Sequence, residues 1–346
     1  MAILGATGAV GQRFVQLLQG HPWFEIEVLA ASERSAGKNY REACNWILGS
    51  EMPSEMGEMA VVNTDVESVK KAGNVDLVFS SLPANIAGPA EEEFAKEYPV
   101  FSKASVHRME EDVPLIIPEV NPDHLALIST QKKRRGWNGF ISTDPNCSTI
   151  QLAITLKPLM AFGLKSVVVS TMQALSGAGY PGVASLDIID NVVPYIPNEE
   201  EKMELETLKI LGKFDGSKVH PANIPISASC NRVDVKDGHL ECVYVKLEKN
   251  PSVEEVKEAF ENFKGEPQEL NLPSAPKDPI IVRDEPNWPQ PRFDRDAGEG
   301  MSIVVGRIRH DPVLTIKYLC LGHNTIRGAA GAALLSAELA TKKEHI

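Results

Sequence analysis

Short apolar runs alternate with segments of helical apolar spacing over the first part of the chain. The opening, MAILGATGAVGQRFVQLLQ, reads as a strand over residues 1–4, a glycine-rich turn, and a helix with Val10, Phe14, Leu17 and Leu18 on its apolar side. Further strands are predicted at 25–32 (EIEVLAAS), 75–81 (VDLVFSS) and 98–105 (YPVFSKAS), with helical patterns between them. Such alternation predicts a parallel, doubly wound α/β sheet. The first strand is shorter than the usual strand of about five or six residues, so the chain is expected to begin slightly inside its natural start.

After residue 147 the texture changes. Longer β-rich segments at 164–175 (LKSVVVSTMQAL), 239–248 (HLECVYVKLE) and 301–308 (MSIVVGRI) are joined by proline-rich loops and by helices near 199–212 and 253–264. They predict an α+β domain built on a mixed sheet. The last segment, NTIRGAAGAALLSAELATKK, is a small-residue helix expected to return to the first domain. The expected division is residues 1–146, completed by 324–346, against residues 147–323. A length of 346 residues, beyond the reach of one core, agrees with two domains.

Composition narrows the partners. Hydrophobic residues at 43% and charged residues at 24% exclude a mainly disordered chain, and no apolar run approaches the roughly 20 residues of a membrane span. The net charge of -12 repels polyanions, so nucleic acid is excluded and a small anionic substrate needs its own cluster of cations. The basic run KKRR at 132–135 is expected to be a solvated helix end. Five cysteines without a CxxC pair, and no leader sequence, point to free thiols in a reducing cytoplasm and against a metal site.

The turn GATGAVG sets glycines at 5, 8 and 11 between a strand and a helix. Glycine lets the backbone turn tightly and approach a pyrophosphate, whose charge the helix N-terminus stabilises. Gly5, Thr7, Gly8, Ala9, Val10 and Gly11 are therefore expected to contact a dinucleotide. The second strand ends in AASERSAGK, where Ser32, Arg34, Ser35 and Lys38 suit a 2′-phosphate and favour NADP over NAD, with Glu33 as the contrary sign.

In FISTDPNCSTIQLAITLKPL, Cys147 follows Asn146 at the head of a predicted helix. The partial positive charge there is expected to lower the thiol pKa and make Cys147 a nucleophile, with Asn146 donating to an oxyanion. Cys44, Cys230, Cys242 and Cys320 are expected to be buried apolar fillers. A proton carrier is needed as well, and His239 in CNRVDVKDGHLECV competes with His107, His220 and His323 for that role. Spacing alone does not bring Arg232 and His239 together, because the turn KDG breaks the strand parity.

The segments GATGAVG, PNCST, QALSGAGYPG, EEEK, SCNRV with GH after it, PQPRFDRDAG and GHNTIRGAAGAA together resemble the aspartate-β-semialdehyde dehydrogenase family, in its archaeal and fungal branch. The resemblance runs through nearly the whole chain. It implies a Rossmann-like domain joined to a catalytic and dimerisation domain, a homodimer or homotetramer, and a place in the synthesis of lysine, threonine, methionine and isoleucine. It implies that Cys147 is the acyl-accepting nucleophile, His239 the general acid/base, and Gln173 the residue that orients substrate at the thiol. It also implies phosphate at Arg108 and Lys202, with Glu199 the acidic partner of Lys202, and the substrate carboxylate at Arg232. Residues 80–83 (SSLP, with Ser81 and Leu82), Ser176, Gly177 and Asn324 match segments that line the cofactor.

The implied reaction is NADPH-dependent reductive dephosphorylation of 4-phospho-L-aspartate through a cysteine thioester. Malonyl-CoA reductase shares the scaffold, N-acetyl-glutamyl-phosphate reductase shares the chemistry, and a non-catalytic NADP-binding regulator is the reading from another class. PNCST together with EEEK favours the phosphate-using enzyme. The chain departs from the family in FSKASVHRM, where Lys103 stands in place of the usual asparagine. An extra cation there is expected either to strengthen anion binding or to perturb the nicotinamide end of the cofactor.

Overall fold

A computed structural model describes residues 1–346. Its first sheet contains β1 (Ala2–Leu4), β2 (Val28–Ala31), β3 (Val61–Asn63), β4 (Val78–Ser80), β5 (Pro99–Ser102) and β6 (Phe140–Thr143). These strands pair in parallel in the order β3-β2-β1-β4-β5-β6. The order reverses between β1 and β4, and in sheets of this kind ligands bind in the crevice at that reversal. All of β1, β2, β4 and β6 is buried, which suits the wholly apolar runs of β1 and β2, while β4 and β6 also bury Ser80, Ser142 and Thr143.

The second sheet is mixed. Its strands are β7 (Leu164–Gln173), β10 (Ile226–Arg232), β11 (His239–Leu247), β12 (Ile280–Arg283), β13 (Ile303–His310) and β14 (Ile316–Gly322), in the order β10-β7-β11-β14-β13-β12. The short strands β8 (Lys213–Phe214) and β9 (Val219–His220) form a separate ribbon. Both β7 and β11 alternate buried and more exposed positions, so one face of this sheet is covered and the other is partly open. The helix Cys147–Leu159 covers the inner face, and its Ile150, Leu152, Ile154 and Leu156 share a core with Val167, Val243 and Tyr318.

The C-terminal helix Gly331–Lys342 is buried along almost its whole length. Its Ala333, Leu334 and Leu335 join the core of Ile3, Phe14 and Phe79 around the first sheet. Lys132–Arg135 ends the helix Leu127–Arg135 as expected, with left-handed Gly136 as its C-cap. That end is only partly solvated, because Arg135 is half-buried against Glu110 and Asp112.

Candidate active site

β6 ends three residues before Asn146, and Asn146 starts the next helix. Its Oδ1 accepts from the N–H groups of Ser148 (2.9 Å) and Thr149 (3.2 Å), which makes Cys147 the first helical residue. Only one of the two Nδ2 N–H bonds of Asn146 is taken inside the protein, so the expected donor to an oxyanion is retained. Nδ2 donates to Glu199 Oε1 at 2.7 Å, and the backbone N–H of Asn146 donates to Glu206 Oε2 at 2.7 Å.

Sheet register delivers the remaining groups. β7 and β10 run parallel with Gln173 beside Arg232, and antiparallel β11 begins at His239, so three strand ends meet at one edge. His239 Nε2 lies 3.2 Å from Cys147 Sγ, and the Ala174 N–H donates to His239 Nδ1 at 3.0 Å. Arg232 Nη1 donates to the Ala174 carbonyl at 2.7 Å. Gln173 is buried, and its Nε2 finds no partner within the protein. A buried donor in that condition carries a desolvation cost that an incoming acceptor would relieve. Gly177 permits this crowding, since a Cβ there would fall 2.8 Å from Arg232 Nη1 and 3.1 Å from His239 Cε1.

The thiol does not follow the helix-end argument. Cys147 is reached from a cavity yet lies deep, and burial, followed by the charge of Glu199, pushes its pKa up to about 12. Lys103, Arg232 and Arg108 pull the other way without prevailing. Burial, with Arg232 and His323 adding to it, holds His239 down at about 3. The resting pair is thus a thiol beside a neutral imidazole. Of the other cysteines, Cys44, Cys230 and Cys320 are buried as expected, whereas Cys242 is half-exposed on the more open face of the mixed sheet.

One face of the helix Glu199–Ile210 organises the cations. Lys202 Nζ is 3.7 Å from Glu199 Oε2. One turn further on, Glu206 accepts from Arg108 Nη1 at 2.9 Å, and Lys209 Nζ donates to the carbonyls of Arg108, Glu110 and Val113 at 2.7, 2.8 and 2.8 Å. Glu206 and Lys209 thereby hold the loop that carries Arg108, although the sequence reading missed both. Their positions seven and ten residues after Glu199 put them on its helical face, and that signal could have found them.

The crevice at the sheet reversal adjoins these groups. A cavity of about 380 Å³ is lined by Ala9, Val10, Leu82, Ser176, Gly177 and Asn324 together with Cys147, Arg108 and Lys202. Gly8 has no side chain to cap the helix Ala9–Leu17, which leaves the N–H groups of its first turn available to a pyrophosphate. A Cβ on Gly11 would sit 2.3 Å from the Gly5 carbonyl, so this glycine serves helix–strand packing, while Gly5 has φ +75° and lies against Ser81. Thr7 faces Gln12, whose Nε2 donates to the Thr7 carbonyl at 3.0 Å. Ser32, Arg34 and Lys38 are exposed beyond the end of β2, as is Glu33, and Ser35 N–H closes their turn on the Ser32 carbonyl at 2.8 Å. Asn324 bridges two turns, donating to Ser176 Oγ and accepting from Gly238 N–H, each at 2.8 Å.

Of the rival histidines, His107 pairs with Glu110, His220 with Asp215, and His323 accepts from Thr325 N–H, so His239 is the one beside the thiol. A further wall comes from the C-terminal segment, where a Cβ on Gly328 would lie 2.6 Å from Cys147 Cβ.

A dinucleotide crevice that opens onto a cysteine–histidine pair and a set of fixed cations defines a two-domain, cysteine-dependent dehydrogenase. Residues 1–128 match the family described as semialdehyde dehydrogenase, NAD binding domain, and residues 156–327 match semialdehyde dehydrogenase, dimerisation domain. An aspartate-semialdehyde dehydrogenase of Archaeoglobus fulgidus is 56% identical over 100% of this chain and 99% of its own. The crystal structure of aspartate semialdehyde dehydrogenase with NADP from Candida albicans superposes with a TM-score of 0.91 at 43% identity, covering 100% of this chain and 99% of that one. A malonyl CoA reductase (NADP) of Metallosphaera sedula is 44% identical over 100% of this chain and 97% of its own. The chain belongs to the aspartate-semialdehyde dehydrogenase family.

Proposed function

We propose that the chain reduces 4-phospho-L-aspartate to L-aspartate 4-semialdehyde with release of phosphate, using Cys147 as the acyl carrier. The observation that carries this reading is the 3.2 Å approach of His239 to Cys147, which lines a cavity together with Arg108 and Lys202. Two anionic groups on one substrate need two separate cation sites in a protein this acidic. Arg108 and Lys202 suit the phosphate, and Arg232 beside Gln173 suits the carboxylate. Malonyl-CoA reduction is the weaker alternative, because the match at 56% identity is to a phosphate-using family and the relative of that other activity stands at 44%.

Anion binding loads the cavity with substrate, and Cys147 attacks the acyl carbon with loss of its thiol proton, which leaves on the departing phosphate as hydrogen phosphate. The C–S bond forms and the C–O bond to phosphate breaks, giving a thioester. Gln173 Nε2, the second Nδ2 N–H of Asn146 and the backbone N–H of Cys147 are the donors closest to hand for the oxyanion, because the Ser148 and Thr149 N–H groups are held by Asn146 Oδ1. Gly5, Thr7, Gly8, Ala9, Val10 and Gly11 would cradle the pyrophosphate of NADP, Ser32, Arg34 and Ser35 its 2′-phosphate, and Ser81, Leu82, Ser176, Gly177 and Asn324 the remainder. NADPH bound there supplies the hydride that reduces the thioester. Cys147 then departs as thiolate when the tetrahedral adduct collapses, and His239 offers its Nε2–H first to the oxyanion and then to the sulfur.

On this reading residues 1–146 with 324–346 hold the cofactor, and residues 147–323 carry the chemistry and the subunit contact. The matched dimerisation domain and the half-open outer face of the mixed sheet, with Val168 46% exposed, support a homodimer or homotetramer. No helix is long and apolar enough to cross a membrane, and a biosynthetic role supports a cytoplasmic location. The test is NADPH formation from L-aspartate 4-semialdehyde and NADP with and without inorganic phosphate. Strictly phosphate-dependent turnover is expected. Turnover of malonyl-CoA with NADPH and none of the semialdehyde would transfer the chain to the other activity.

A further inference from the structure

Lys103 and Asp144 leave neighbouring strand ends side by side, because β5 and β6 are in register with Ser102 opposite Thr143. The lysine side chain is 9% exposed and the aspartate side chain 2%, and Nζ stands 3.6 Å from Asp144 Oδ2. That distance is an ion pair without a hydrogen bond. Neither Lys103 Nζ nor Asp144 Oδ2 has a hydrogen-bond partner within the protein, and the second carboxylate oxygen is taken by Ser336 Oγ at 3.0 Å. A buried ammonium with all its N–H bonds unspent is costly, and the arrangement is explained if an anion completes it.

Several observations define that anion. Lys103 lines the same cavity as Arg108, Lys202 and Cys147. Arg108 has both terminal nitrogens engaged inside the protein, Nη1 on Glu206 at 2.9 Å and Nη2 on the Lys103 carbonyl at 2.8 Å, while its buried Nε has no partner. One N–H on each terminal nitrogen is thus held inside the protein, so the guanidinium is fixed in place and offers an anion fewer N–H bonds than a free arginine would. The hydrogen bond of Cys147 Sγ goes to His239, so the N–H groups of Lys103 are not spent on the sulfur. The geometry points to Lys103 as a further phosphate-binding residue, an ammonium that Asp144 holds at the wall of the cavity and that turns onto the phosphate group when substrate or inorganic phosphate enters. This assignment rests on the reaction proposed above.

The experiment measures NADP reduction with inorganic phosphate varied at saturating L-aspartate 4-semialdehyde, and then with the semialdehyde varied at saturating phosphate, for wild type, Lys103→Arg, Lys103→Met and the double variant Lys103→Met/Asp144→Asn. The double variant is included because Lys103→Met alone leaves Asp144 unpaired inside the protein, whereas removing both charges does not. Loss of one charge-assisted hydrogen bond is expected to raise the KM for phosphate about tenfold or more in both Met variants. The KM for the semialdehyde should stay within about twofold, and Lys103→Arg should retain most of the phosphate affinity. A folded double variant with unchanged phosphate KM, or one in which both KM values rise alike, overturns the assignment. Absence of phosphate-dependent turnover in the wild type would instead overturn the reaction itself, so the two failures are distinct.

Discussion

The backbone N–H of Ala174 points at Nδ1 of His239 from 3.0 Å, so Nδ1 is an acceptor and the imidazole proton sits on Nε2, the nitrogen facing Cys147. The imidazole is therefore built to give a hydrogen bond to the sulfur. Taking up a second proton would set Nδ1–H against Ala174 N–H, which agrees in direction with the depressed pKa of this residue. His239→Gln keeps a donor, and His239→Ala does not. The alanine variant is expected to lose about a hundredfold or more in kcat, with the glutamine variant recovering a substantial part of that loss. Equal rates in the two variants would show that donation to sulfur is not what His239 contributes.

Folding should also report this histidine. The unfolded chain binds a proton near pH 6.5, while the folded chain resists it down to about 3. Stability tied to His239 is thus fully present above about 6.5 and is lost as the pH falls toward 3. The midpoint of urea unfolding should therefore fall less steeply between pH 6.5 and pH 4 in His239→Gln than in wild type, and parallel curves would contradict the burial argument.

A thiol held near 12 should show no low-pH plateau in its chemistry. Alkylation of Cys147 by iodoacetamide in the free protein is expected to keep rising by about tenfold per pH unit through pH 9, followed by peptide mass analysis to separate it from half-exposed Cys242. A plateau below pH 8 would restore the helix-end argument.

Glu206 connects Arg108 to the helix that carries the nucleophile, through 2.9 Å to the guanidinium and 2.7 Å to Asn146 N–H. Glu206→Ala breaks a buried pair and is expected to cost about 3–5 kcal/mol of stability. Its activity should fall mainly through a higher KM for phosphate. Chemical denaturation together with phosphate titration checks both effects, and an unchanged phosphate KM would separate Glu206 from the anion site.

Gly328→Ala would place a methyl 2.6 Å from Cys147 Cβ, and both backbones are packed. The expected result is a loss of about 1–3 kcal/mol and a fall in kcat through displacement of the thiol. Wild-type activity in this variant would mean that the C-terminal segment tolerates movement away from Cys147.

Local features were legible in the sequence, and convergent ones were not. The glycine turn, the Asn146–Cys147 helix start and the two sheet types all follow from patterns within a few residues. β3, β6, β10, β12 and β14 lie outside the strands that the sequence pattern predicts, and β3 and β6 are runs of three and four residues, too short to show an alternation. Gln173, Arg232 and His239 meet because strand order and register bring three distant ends together, and the turn before His239 hides that from any count of parity. The expected low thiol pKa failed for a related reason. A helix terminus is visible in sequence, but the burial of Cys147 and the placing of Glu199 beside it exist only in the folded molecule.

The end of the chain supplies Asn324 to two turns of the site, Gly328 to the back of Cys147 and Ser336 to Asp144. A polypeptide still emerging from the ribosome therefore carries its nucleophile, its histidine and its cations without the surface that sets them in place. Synthesis must reach its last helix before the thiol acquires a defined position, so the geometry of the site is completed only when translation is almost finished.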